Sequence, residues 1–170
     1  MTRANRDRRA AGATPPELEI RRATRSDVPA IVRLLAEDTL GRARELAADP
    51  LPASYEEAFA VIDASPNDEL IVAEEAGGGV VGTLQITYLR HLSHQGARRA
   101  QLENVHVDSA WRSRGVGTRL VGWAIERARE RGCRIVQLTS NKSRTDAHRF
   151  YVRLGFTASH EGMKLDLTTR

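Results

Sequence analysis

The most distinctive chemistry in the sequence lies in the stretch Trp111–Leu120, which reads W-R-S-R-G-V-G-T-R-L. Arg112, Arg114, Gly115 and Gly117 stand close together there, after a strand-like apolar run and before a helix-like one. The first amides of a helix have no intrahelical acceptor, and the helix dipole places partial positive charge beside them, so a helix start can bind an anion. Arginine adds forked donors that match phosphate oxygens, and glycine lets main-chain amides approach them. The stretch therefore predicts a cradle for a pyrophosphate.

Two common phosphate-binding loops do not fit this stretch. A P-loop has Lys and then Ser or Thr directly after its second glycine, whereas Gly117 is followed by Thr118 and Arg119. A dinucleotide-binding loop has three glycines within a leading βαβ unit, and here the loop follows the fourth predicted strand. One alternative stays open, in which the glycines only form a tight turn and the arginines are solvated.

The elements that must position this loop follow from the hydrophobic periodicity. Helical spacing of apolar residues is predicted after Ser26, from Ser54, from Gly117 and from about Ser143. Strand-like alternation is predicted over residues 18–24, 69–75, 80–89, 100–108, 134–140, 156–160 and 163–167. The order β-α-α-β-β-β-α-β-α-β, with an optional final strand, predicts an α+β fold in which helices flank a mixed sheet.

Composition sets further limits. The chain has 170 residues, enough for one domain over 17–170, and the segment 1–16 carries four arginines and one aspartate, which predicts a disordered basic tail. That tail holds much of the net charge of +4, and aromatic residues make up only 5%, so no specific nucleic-acid partner is predicted. No apolar run predicts a membrane span or a signal peptide. The single cysteine, Cys133, favours the cytoplasm and a packing role over a nucleophilic one.

Two segments together resemble the GNAT superfamily of acetyl-CoA-dependent N-acetyltransferases. R-S-R-G-V-G (112–117), after a strand that ends V-H-V-D, is similar to that family's acetyl-CoA signature, R/Q-x-x-G-x-G/A. D-A-H-R-F-Y-V-R-L-G-F (146–156) is similar to its late helix, A-x-x-F-Y-x-x-L-G-F. The predicted element order over 18–167 matches as well. The resemblance implies a mostly antiparallel sheet, acetyl-CoA as cosubstrate and an amine acceptor, and it leaves a homodimer open.

The resemblance also implies roles for the matching positions. The backbone of Val105, His106 and Val107 would pair with the pantetheine arm of the cofactor as an added strand would. The strands of Val105 and Val136 would splay apart and admit the thioester, and Asn141 matches a position that contacts the cofactor. The amides that would bind the pyrophosphate are those of Arg112, Ser113, Arg114, Gly115, Val116, Gly117 and Thr118.

Tyr151 and Glu103 are the candidates for proton transfer in such a reaction, which needs a deprotonated amine and a proton for the leaving sulfur. Tyr151 matches the family tyrosine that protonates the thiolate, and core packing is its alternative. Glu103, or a water that it holds, would take the proton of the amine, and a surface salt bridge is its alternative. Simple alternation of the strand predicts two faces, one with Gln101, Glu103, Val105 and Val107 and the other with Leu102, Asn104 and His106.

A narrower resemblance, to the aminoalkylphosphonate N-acetyltransferases, is carried by H-L-S-H (91–94), D-A-H-R-F-Y and A-S-H (158–160). It implies a small primary amine that carries an acidic group. His91, His94 and His160 would then bind an anionic substrate or a divalent metal, and a polar loop with incidental histidines is the alternative. We predict no metal site, since the His-x-x-His pair lacks a third ligand at recognisable spacing.

The sequence thus favours an enzyme that acetylates a small amine. A protein or peptide acceptor, a non-catalytic module that senses acetyl-CoA, and a nucleic-acid-associated protein anchored by its basic tail are the alternatives. Tyr151 and Glu103 favour catalysis over sensing.

Overall fold

A mixed sheet forms the centre of the computed structural model, which describes residues 17–37 and 39–167, with Thr39 and Leu40 described by their backbone alone. Neighbouring strands are antiparallel, except that β4 and β5 are parallel. The strands stand in the order β1 (Leu18–Arg22), β2 (Asp68–Glu75), β3 (Val80–Arg90), β4 (Arg98–Val107) and β5 (Cys133–Leu138). This confirms the predicted mixed, mostly antiparallel sheet. The predicted basic tail, 1–16, lies outside the described residues.

Four of the helices coincide with the predicted ones: α1 (Val28–Ala36), α3 (Ala53–Ala64), α5 (Val116–Glu130) and α6 (Thr145–Arg153). The periodicity did not indicate α2 (Thr39–Arg42) or α4 (Ser93–Gly96), because each has only four residues, too few to show a helical repeat. In α4, His94 and Gln95 also have left-handed backbone angles. Within the residues described, no helix is both long and apolar enough to span a membrane.

Hydrophobic cores lie on both faces of the sheet. Side chains alternate along a strand, so the neighbours Ile71 and Val72, both fully buried, belong to different cores. Val72 packs with α1 and with Phe59 of α3. Ile71 and Leu84 pack with the stripe of α5 that includes Leu120.

Helix α5 is anchored at its C-terminal end by a buried ion-pair cluster. Glu69 of β2 is only 1% exposed. Its carboxylate accepts hydrogen bonds from Arg127 Nε at 3.2 Å and from an Arg131 terminal nitrogen at 2.6 Å. The Tyr88 hydroxyl lies 3.3 Å from the same carboxylate. The cluster ties β2 to the helix whose other end follows the glycine-rich loop.

The predicted closing strands are wrong. Residues 156–160 and 163–167 form no strand and pair with none of the described strands, so β5 is the last strand of this sheet. The apolar side chains of Met163, Leu165 and Leu167 are 84–94% exposed. Alternating apolar and polar residues are compatible with a strand, but a strand forms only when its backbone pairs with that of a neighbouring strand.

Candidate active site

A β-bulge in β4 changes which side chains share a face. Thr83 pairs with His106 and Gln85 pairs with Glu103, so three steps on β4 lie opposite two steps on β3. The bulge is at Asn104, whose φ of 53° is left-handed. A bulge inserts one residue and reverses the alternation beyond it.

The predicted faces of β4 are therefore wrong. Leu102 lies in the core beneath α5, and Val105 and Val107 pack against that same core. Glu103 and His106 project together from the opposite face, the one that α1 and α3 cover.

A gap opens between β4 and β5 beside the bulge. The pairing of these strands ends at Leu102 and Leu138, whereas β4 continues to Val107. Val136 is still paired, with Ala100, so the strands separate beyond it. The backbone of residues 103–107 thus has β3 on one side and no β5 partner on the other. An extended ligand can bind to such an edge as an additional strand would.

The loop from β4 to α5 has the backbone of an anion cradle. Gly115 is the N-cap of α5, with φ 84°, and no side chain caps this helix start. Ser113 is also left-handed, with φ 62°. Left-handed residues beside helical ones turn successive amides toward one point, where an anion can bind. Val116 is buried in the core, which fixes the first turn of the helix.

Gly117 and Thr118 continue this first turn. A methyl group at Gly117 would lie 3.3 Å from Phe150 Cζ, tighter than an ordinary van der Waals contact, so the Phe150 ring would have to shift. The glycine therefore permits the close approach of α6 to α5. Thr118 is exposed.

The arginines of the loop have different surroundings. Arg114 lies over the ring of Trp111, 5.4 Å from its centroid. Arg112 Nε donates to the Val107 carbonyl at 3.2 Å, and a terminal nitrogen lies 3.4 Å from the carboxylate of Glu37. Both side chains are exposed at the surface of the loop.

Glu37 is a residue of the site that the sequence did not indicate. Besides Arg112, its carboxylate accepts a hydrogen bond from the Ser109 amide at 3.0 Å. Glu37 directly follows α1, so it connects that helix to the loop after β4. No local pattern could have revealed a contact across 72 positions of sequence.

Tyr151 lies on the α5 side of the sheet. Its ring makes edge contacts with Phe150 and Phe156, with centroids 5.1 and 5.7 Å apart. Burial raises the pKa of its phenol above the ordinary value of 10.0, although the charge of Arg144 acts in the opposite direction. Tyr151 therefore stays protonated at neutral pH and is able to donate a proton.

Asn141 organises the turn between β5 and α6. Its side-chain oxygen accepts from the Ser143 amide at 2.9 Å and from the Ser143 hydroxyl at 2.8 Å. Its carbonyl accepts from the Arg144 amide at 2.9 Å and lies 3.0 Å from His148 Nε2. His148 is thus half-buried against this turn.

The structure separates the histidines that the sequence grouped. His91 and His94 follow the far end of β3, about 26 Å along the strand from the residue that pairs with Val107. His160 is near the other end, because Gly162 lies against Thr139, just past β5. No group of three or more metal-ligating side chains occurs in the described part of the chain.

Comparison with known proteins gives one family and several relatives. Residues 31–156 match the model of the family described as "Acetyltransferase (GNAT) family". The chain is 31% identical over 146 residues to an aminoalkylphosphonate N-acetyltransferase of Salmonella typhimurium, covering 85% of this chain and 88% of that protein. It is 34% identical over 122 residues to glucosamine 6-phosphate N-acetyltransferase 1 of Oryza sativa, covering 68% and 72%.

A solved structure is also similar over most of the chain. It is described as a transcriptional regulator from Bacillus halodurans C-125, with a TM-score of 0.87 and 51% sequence identity. The alignment covers 89% of this chain and 100% of that one.

Proposed function

Because the chain belongs to the GNAT family of acetyltransferases, we propose that it transfers the acetyl group of acetyl-CoA to a small primary amine that carries a phosphonate or phosphate. Acetyl-CoA would supply an acetyl group already activated as a thioester. The observation that carries the proposal is the uncapped, glycine-lined start of α5 next to the gap between β4 and β5. The start of α5 can hold the diphosphate of the cofactor, and the gap between β4 and β5 can hold its extended pantetheine arm.

The residues around the gap support direct transfer. Glu103 is exposed on the α1 side, where it would hold the incoming amine or the water that takes its proton. Tyr151 is half-buried on the α5 side, where its phenol would protonate the departing sulfur. The backbone of Val105, His106 and Val107 would bind the pantetheine arm, and the loop amides from Arg112 to Thr118 the diphosphate. Asn141 would contact the cofactor from the turn after β5.

The acceptor class rests on the two named relatives. Aminoalkylphosphonate and glucosamine 6-phosphate both combine a primary amine with a phosphorus oxyanion.

A panel of acceptors tests the function. Purified protein is incubated with acetyl-CoA, and thiol release and acetylated product are measured for 2-aminoethylphosphonate, glucosamine 6-phosphate, propylamine, spermidine, lysine and an aminoglycoside. We expect the highest kcat/KM for an amine that carries phosphonate or phosphate, and a much lower value for propylamine, which lacks the anion. Absence of thiol release would refute the function, and a preference for acceptors without the anion would refute the acceptor class.

Gly115→Val is expected to weaken acetyl-CoA binding at least 10-fold. A β-branched residue is strained at φ 84°. Its side chain would also occupy the space beside the loop amides in which the diphosphate is proposed to bind. Calorimetry measures the affinity. Gly132→Val is the matched control, because Gly132 has φ 68° and equally open surroundings at the opposite end of α5. Equal affinities of the two variants would contradict the cradle.

DNA binding is a second candidate, because the Bacillus halodurans structure is described as a transcriptional regulator. It predicts retardation of duplex DNA by the full chain without thiol release from any acceptor. The acceptor panel, run beside a DNA retardation assay, separates the two functions. A cytoplasmic location, which the free thiol of Cys133 favours, and a homodimer stay predictions.

A further inference from the structure

We propose that His106 accepts the proton that the acceptor amine loses, with Glu103 holding the amine or a bridging water in front of it. This role rests on the proposed acetyl transfer, and it goes beyond the backbone contact that the family resemblance implies for His106. The inference depends on the bulge at Asn104, on the open face of β4 and on the charged groups around the imidazole.

The bulge brings the two side chains together. In a regular strand Glu103 and His106, three positions apart, would point to opposite faces. Because the bulge at Asn104 inserts one residue, Glu103 and His106 lie opposite Gln85 and Thr83, which are two positions apart on β3. They therefore share a face, about 7 Å apart along the strand. One water molecule can bridge groups at that separation.

The face that they share is the one from which an acceptor can reach the gap. On the α5 side, Val105 and Val107 pack against the hydrophobic core. On the α1 side, Glu103 is exposed, whereas His106 is half-buried behind it. A nucleophile attacks a carbonyl from above or below its plane, and on this side of β4 the exposed Glu103 lies next to the bulge.

The surroundings of His106 favour the neutral form of its imidazole. Burial lowers the pKa of His106 below the ordinary value of 6.5, and the positive charge of Arg112 lowers it further. Two carboxylates act in the opposite direction, Glu37 after α1 and Glu45 in the segment after α2. The His106 ring makes no hydrogen bond to another of the described residues, so a ring nitrogen can accept a proton.

The protons of the reaction pass through groups that already have proposed roles, namely Glu103, His106 and Tyr151. The ammonium group of the acceptor transfers one proton, through the water at Glu103, to the imidazole. The amine nitrogen then bonds to the acetyl carbon as the carbon–sulfur bond breaks, and the sulfur takes a proton from Tyr151. The bonded nitrogen then gives up its second proton, which restores the Tyr151 phenol, and the imidazolium loses its proton to solvent. The net products are the acetamide, free coenzyme A and one proton.

The test is the pH–rate profile of His106→Gln, measured with the best acceptor of the panel. We expect kcat to fall about 100-fold at neutral pH, with acetyl-CoA affinity within 3-fold of wild type. Wild-type activity should decline as pH falls through the lowered pKa of His106, below 6.5. The variant should lack this inflection: its activity should follow the fraction of free amine and rise steadily with pH, so that its deficit shrinks at high pH, where the free amine no longer needs a base. His106→Asn repeats the measurement with a shorter amide.

His94→Gln is the control, because His94 is exposed at the far end of β3, and its profile should equal that of wild type. A merely structural role of His106 would lower kcat by the same factor at every pH, which would overturn the proposal. An unchanged inflection below pH 6.5 in His106→Gln would do the same. Absence of wild-type turnover would refute the proposed function and this role together, whereas wild-type turnover with either result above would refute only the role of His106.

Discussion

A Tyr151→Phe variant is expected to turn over about 100-fold more slowly than the wild-type enzyme while binding acetyl-CoA with unchanged affinity. The substitution removes only the hydroxyl group. The ring contacts with Phe150 and Phe156 remain, so α6 should keep its place against α5. A thiolate that leaves without a proton donor is a poorer leaving group, so the loss falls on the chemical step. Single-turnover measurements of thiol release isolate that step from product release.

The pH profile gives Tyr151 a second test. Burial raises its pKa above 10.0, so the phenol is protonated at neutral pH, and activity should fall as pH rises through that raised value. Tyr151→Phe should remove this alkaline decline. Tyr88→Phe is a matched control, because the Tyr88 hydroxyl lies by Glu69 rather than at the gap. If Tyr151→Phe turned over at the wild-type rate, Tyr151 would be a packing residue only.

Local sequence patterns predicted the parts of this fold that local physics decides. The helical spacing from Gly117 predicted α5, and that helix has a buried stripe that includes Leu120, Val121 and Ala124. The two glycines and two arginines before it predicted a loop at a helix start, and Gly115 does adopt the left-handed N-cap. Periodicity and backbone freedom are properties of a few neighbouring residues, so a single sequence is enough to read them.

The faces of β4 could not be predicted in this way. A bulge is a property of two paired strands, since it is defined by three positions of one opposite two of the other. Asn104 gave only a weak signal, because asparagine tolerates left-handed φ better than most residues. One missed residue reversed the assignments of Val105, His106 and Val107, and it concealed that Glu103 and His106 share a face.

Contacts between distant segments were equally out of reach. Glu37 meets Ser109 and Arg112 only because the packing of α1 on the sheet brings it to the loop after β4. In the same way, the segment 163–167 has the alternation of a strand, but pairing depends on a neighbouring strand that the pattern does not encode.

Glu69→Gln is expected to destabilise the protein by about 3 kcal/mol, which lowers Tm by roughly 10 °C for a chain of this size. The carboxylate is only 1% exposed, and it holds both Arg127 and Arg131. The amide leaves two guanidinium groups without their buried counter-charge. Their side chains are 33% and 28% exposed, so solvent screens part of the loss. Glu130→Gln is the matched control, because Glu130 pairs with the same Arg127 but is 65% exposed, and should cost less than about 1 kcal/mol.

The difference in unfolding free energy between wild type and Glu69→Gln should depend on pH, and this dependence separates an effect of charge from one of packing. Burial alone would raise the pKa of Glu69, but hydrogen bonds and charges from Arg127 and Arg131 hold it below its ordinary value of 4.5. Its stabilisation is therefore complete above about pH 4.5 and is lost as pH falls through the lowered pKa. Denaturant unfolding of wild type and Glu69→Gln should give free energies that differ most near neutral pH and converge in acid. A difference that stayed constant in acid would mean that shape, not charge, holds α5 to β2. Because the cluster lies at the far end of α5 from the loop, the folded variant should keep the wild-type affinity for acetyl-CoA.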